Sequence, residues 1–141
     1  MTCTFFGHSD APDSLKETLY REISMLIENG DVKKFYVGNN GNYDFLVQVV
    51  LARLSRDRGD FEFSIVLSFP DEKALSNNQR DTVFVEGLEK ALPRFAISKR
   101  NEWLIKNSDF AIVYLKHGFS NCSKWVQKAR KKGLRIISIS D

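Results

Sequence analysis

Two glycines three residues apart, Gly38 and Gly41, lie among Asn39, Asn40 and Asn42, with Asp44 just beyond. Glycine lacks a Cβ, so such a pair permits a tight turn and lets a ligand approach bare backbone. Asn and Asp bond to nearby main chain and cap helices, which suits Asn42 or Asp44. The run stands between an apolar stretch, Lys34–Val37, and an apolar helical face that opens at Phe45. It therefore reads as strand, small-residue loop and helix N-terminus. That combination forms a cradle for an anion or a nucleotide, because free amides and the helix dipole converge there. Asp44 can cap the helix, hold a ribose hydroxyl or base amine by a charge-assisted hydrogen bond, or do both.

Three further clusters carry candidate chemistry. Arg100 can clamp a phosphate bidentately or pair on the surface with Glu102 or Asp109. Its neighbour Asn101 can contact a ligand or cap a helix, and Trp103 can stack on a base or fill the core. Gly7, His8 and Ser9 make a second small-residue bend, and residues 116–121 a third, where Ser120, Ser123 and Lys124 suit anion contacts at a helix N-terminus. His8 and His117 each adjoin a glycine and have the chemistry for acid–base work. Two histidines fall short of the three protein ligands usual for catalytic zinc, so no metal is expected. Cys122 sits near a helix start, where thiol pKa values fall, but lacks the partner pattern of a cysteine nucleophile. No cofactor is implied.

The elements that position these residues follow from periodicity. Residues 2–6 form a short apolar strand. Leu15, Leu19, Ile23, Leu26 and Ile27 then recur at helical spacing, after Asp10 or Asp13 as cap, and Asn29-Gly30 ends that helix. After the strand Lys34–Val37, the next helix buries Leu46, Val47, Val50, Leu51 and Leu54 and stops in the polar run 55–60. Residues 61–67 make a third strand closed by Pro70, residues 71–80 a polar loop of the kind that covers sites, and residues 83–92 a short helical or irregular piece. A helix from Ser98 to Lys106 precedes the apolar strand 110–115. The last helix turns Trp125, Val126 and Ala129 inward, ends at Gly133, and leads to the strand 134–139.

Strands alternating with helices predict one α/β domain over residues 1–141, a three-layer Rossmann-like arrangement with a mostly parallel five-stranded sheet flanked by helices. Ligands in such folds sit beyond the carboxyl ends of the strands, so the Gly7, Gly38 and Gly118 loops are expected on one edge around one pocket. The bulk properties agree with a soluble globular protein: 43% hydrophobic, 28% charged, net charge +3. Cys3 and Cys122 suggest no disulfide framework, the first residues lack signal-peptide character, and no apolar run approaches the roughly 20 residues of a membrane span. A cytoplasmic location with reduced thiols is expected. The basic cluster Lys124, Lys128, Arg130, Lys131, Lys132 and Arg135 reads first as a solvated helix face; nucleic acid is the less favoured partner and membrane is not expected.

The junction FFGHSD, the loop YVGNNGNYD, the segment EGLEKALPRFAISKRNEWLIKNSDFAIVYL and the terminal KARKKGLRIISI together resemble the SLOG superfamily. That group joins the DprA/Smf type of Rossmann-like domain to the LOG proteins, and the likeness is to its small bacterial members. It implies a pocket for a nucleotide or nucleotide-derived ligand, contacted by residues of GHS, GNNGNYD and KRNEW. LOG proteins cleave the N-glycosidic bond of nucleoside monophosphates with an Arg, matched in position by Arg100, and a Glu within PGGxGTxxE. That second motif is absent from this chain, which reads HGFSNCSKWVQ and places Gln127 at the Glu. Binding is therefore expected ahead of hydrolysis; homo-oligomerisation is left open.

Overall fold

A computed structural model describes residues 1–68, 82–85, 93–116 and 120–140. Six strands, β1 (Thr2–Gly7), β2 (Lys34–Val37), β3 (Glu62–Leu67), β4 (Thr82–Phe84), β5 (Phe110–Tyr114) and β6 (Arg135–Ser138), form one sheet. Four helices are described with them: α1 (Leu15–Glu28), α2 (Gly41–Asp57), α3 (Pro93–Lys106) and α4 (Asn121–Lys131). Every strand pairing is parallel, in the order β4-β3-β2-β1-β5-β6.

Parallel strands bury both faces, and the alternation along β1 and β5 shows how. Cys3, Phe5, Phe110, Ile112 and Tyr114 point to the face covered by α1 and α2, where Leu15, Leu19 and Ile23 meet Val47, Val50 and Leu51. Phe6, Ala111 and Val113 point to the other face, under Leu104 and Ile105 of α3 and Val126 and Ala129 of α4. The core is thus two apolar layers with the sheet between them.

Two predicted elements are corrected. The sheet has six strands rather than five, because Thr82–Phe84, which overlaps the piece expected to be helical or irregular from Val83, pairs with Ile65, Val66 and Leu67 of β3. Helix α3 starts at Pro93 rather than Ser98; proline fits the first turn, where its missing N–H has no intrahelical role. The expected helix ends hold: Gly30 and Gly133 adopt φ of +75° and +93°. Pro70, the loop 71–80, His117 and Gly118 lie outside the described residues.

From β1 the chain steps outward through β2, β3 and β4, then returns to place β5 on the other side of β1. The direction of winding therefore reverses between β1 and β5. In sheets of this kind the crevice at that reversal, beyond the carboxyl ends of the strands, is where ligands bind.

Candidate functional site

A cavity of about 860 Å³ opens at this reversal, within the size range of small-molecule sites. Gly7 ends β1 in register with Tyr114 of β5, and the loops that follow are tied together: the Lys116 N–H donates to His8 Nε2 at 2.8 Å. With that lone pair engaged, Nε2 of His8 is not available to ligate a metal. Among the described residues no group of three His, Cys, Asp or Glu is placed to hold one.

Of the residues singled out in the sequence, Gly7, His8, Ser9, Asp44, Arg100 and Asn101 line this cavity, as do Ser120 and Lys124. They come from four separate stretches of chain, which the fold brings to one rim. Gly38, Asn39, Gly41 and Ser123 do not line it and act behind it.

Gly38 gives up its bare face to side chains rather than to a ligand. A Cβ there would collide with the Arg100 guanidinium and lie 2.7 Å from Asp44 Oδ2, so the absence of a side chain is what lets these two charged groups pack over β2. Gly41, at φ +86°, bends the chain into α2 and presses on Ser9, whose Cα would be 2.6 Å from an added Cβ. The amides of this turn are mostly engaged: Asn40 N–H donates to Asp44 Oδ2 at 2.9 Å and Asn42 N–H to the Ser9 carbonyl at 2.8 Å. The expected cradle of free amides at α2 is therefore taken up within the protein. Asp44 takes the capping role through the N–H of Asn40. Asn42 and Asp13 are drawn off as caps by each other, through Asn42 Nδ2 to Asp13 Oδ1 at 3.0 Å.

The carboxyl of Asp44 is buried, and burial lifts its pKa from 3.8 to about 6, against the opposing pull of Arg100 and of the Asn40 amide. Arg100 is 3% exposed, and burial pulls its pKa below the usual guanidinium value although Asp44 works the other way. Its Nε donates to Asn101 Oδ1 at 2.9 Å, and its Nη1 to the Val66 carbonyl at 3.3 Å and to Asn39 Oδ1 at 3.5 Å. Asn39 Oδ1 also accepts from the Ser68 N–H at 3.1 Å, which fixes the loop that supports the guanidinium. Nη2 has no hydrogen bond among the described residues. The surface pairings weighed for Arg100, with Glu102 or Asp109, do not form; Asp109 instead accepts the Thr2 N–H at 3.0 Å.

Across the cavity, α4 opens with a reciprocal cap. Ser120 Oγ accepts the Ser123 N–H at 3.2 Å, and Ser123 Oγ accepts the Ser120 N–H at 3.0 Å. Ser123 is thereby buried in capping, which leaves the helix's first amides, at Asn121 and Cys122, as those with no intrahelical partner. Cys122 lines the cavity, yet burial pushes its thiol up to about 12. The lowering expected at a helix start is outweighed, and the residue is not an activated nucleophile. Trp103 meets Tyr36 edge-on at 4.9 Å in the core and does not reach the cavity.

Asp10, Ser98, Asn121, Trp125 and Lys128 also line the cavity, none of them singled out for it in the sequence. Lys128 follows Lys124 by one helical turn, and that i, i+4 spacing was the available signal. A more open depression of about 620 Å³ lies at the far ends of α1 and α2. Its Arg58 is taken up by Asp60 and Glu28.

Compared with known proteins, the chain matches no family model and no curated protein sequence. The fold and the rim define an α/β protein with a crevice of mixed polar and apolar lining at its topological reversal.

Proposed function

We propose that the chain binds a nucleotide or nucleotide-derived small molecule in the crevice between the ends of β1 and β5, as a sensing or sequestering module of the SLOG kind. One observation carries this reading: a buried guanidinium, whose Nη2 has no hydrogen bond among the described residues, lines the same cavity as a capped helix N-terminus, and beside it stands a carboxyl that can accept from a hydroxyl or amine. Arg100 and the first amides of α4 suit phosphate; Asp44 and Asn101 suit the sugar or base.

Thermal unfolding with a panel of nucleotides tests it. A binder raises the melting temperature by mass action, and Arg100→Ala or Asp44→Asn should cancel the shift while each variant still unfolds cooperatively. A shift that survives both substitutions removes these residues from the site.

A second reading, cleavage of the N-glycosidic or a phosphate bond, draws support from the Asp44 carboxyl, whose pKa of about 6 suits proton transfer near neutrality. Against it, Gln127 is exposed and does not line the cavity. Chromatography of protein–nucleotide mixtures decides between the two: consumption of the ligand favours the enzyme, and recovery of intact ligand favours the binder.

A further inference from the structure

We infer that the ligand presents a chain of at least two phosphates, laid along α4 from its N-terminus toward Lys128; this deepens the function proposed above and rests on it. Ser120, Lys124 and Lys128 all line the cavity and follow one another at four-residue steps. They therefore share one face of α4 and mark out roughly 12 Å along its axis. A lone phosphate at the Ser120 cap can be met by the first amides, by Lys124 and by Arg100 from across the crevice. Reaching Lys128, a further turn along, takes a second anionic group.

The cations are disposed for this. Neither Lys124 nor Lys128 has an ion pair among the described residues. Lys128 Nζ stands 4.5 Å from the centroid of the Trp125 ring, another lining residue, a contact that holds an ammonium without neutralising it. Arg100 adds Nη2, which has no hydrogen bond among the described residues. Against these three cations the described residues of the lining offer two acids, Asp10 and Asp44. Asp44 lies beside Arg100 against Gly38 and offsets that cation, which leaves Lys124 and Lys128 to meet the phosphate chain.

The probes are inorganic orthophosphate, pyrophosphate and triphosphate, with adenosine and guanosine triphosphates beside them, titrated by calorimetry at constant ionic strength. Pyrophosphate and triphosphate should bind at least about tenfold more tightly than orthophosphate. Lys128→Gln should erase that preference and leave orthophosphate unchanged. Lys131→Gln, on the same helix but outside the cavity, should change neither. Equal affinity for one and two phosphates overturns the inference while leaving the anion site standing. So does an equal loss in the Lys128 and Lys131 variants, which would mark a diffuse field. If no phosphate compound binds, the inference and the proposed function fall together. If both nucleoside triphosphates bind no better than inorganic triphosphate, the phosphate chain stands and the nucleoside part of the proposal falls.

Discussion

Asp44 is a residue the fold holds at a cost. Its pKa rises from 3.8 to about 6 on folding, so the folded protein binds that proton more tightly than the unfolded chain does. The sign follows: this group's contribution is most favourable below pH 4, is lost as pH rises from about 4 to about 6, and leaves a standing penalty above that. Two pH units correspond to about 3 kcal/mol. Asp44→Asn keeps an acceptor for the Asn40 amide and removes the charge. It should be more stable than the parent at pH 7.5 by about 1–3 kcal/mol in urea denaturation and no more stable at pH 4, while losing nucleotide binding. A variant no more stable at pH 7.5 would show that the carboxylate is well solvated in the folded protein. A group kept at the expense of stability, facing a cavity, is a mark of a binding site.

At the scale of elements, the glycines and caps decide how the rim is held. A Cβ on Gly7 would strike the ring of Tyr43, which is fully buried at the first turn of α2 and donates its hydroxyl to the Ile112 carbonyl at 2.8 Å. Gly7→Ala should therefore cost about 1–3 kcal/mol by overpacking, read as a lower urea midpoint with an unchanged slope; an unaltered midpoint would mean that α2 can back away from the sheet. Ser120→Ala should cost about 1 kcal/mol through loss of the α4 cap, measurable in the same way. Much of this level was legible in the sequence. Amphipathic stripes in α1 and α2, the apolar run of β5 and the glycines ending α1 and α4 are local signals, and the elements stand where those signals put them. What escaped was short or long-range. Three residues of β4 cannot show a period, and nothing before Ser98 carries the apolar stripe that would have started α3 at Pro93. Asn42 looks like a cap until a loop 29 residues earlier claims its side chain.

For the molecule as a whole, the legible part was that small-residue bends gather at one end of a parallel sheet. The number of strands and the place where their order reverses were not, since both depend on which strand lies beside which. No helix among the described residues is long and apolar enough to cross a membrane. The crevice is walled by α2 and α3 as well as by α4, so a ligand there touches three helices at once. A nucleotide present at about a hundred times its Kd should stabilise the fold by about 2.7 kcal/mol. For a chain of this size that is a rise of roughly 5–10 °C in Tm, and the rise should grow with the logarithm of ligand concentration. A Tm that does not move at saturating ligand would mean that the unfolded chain binds it equally well.

Asn39 illustrates how narrowly the charge at the base of the crevice is set. Its oxygen gathers the Ser68 and Arg100 donors, while its Nδ2 is buried without a hydrogen bond among the described residues. Exchanging that amide for a carboxylate would keep every acceptor contact, put an acceptor where the orphaned donor stands and set a counter-charge beside Arg100. Asn39→Asp is thus a way to neutralise the guanidinium from behind, with the crevice still open.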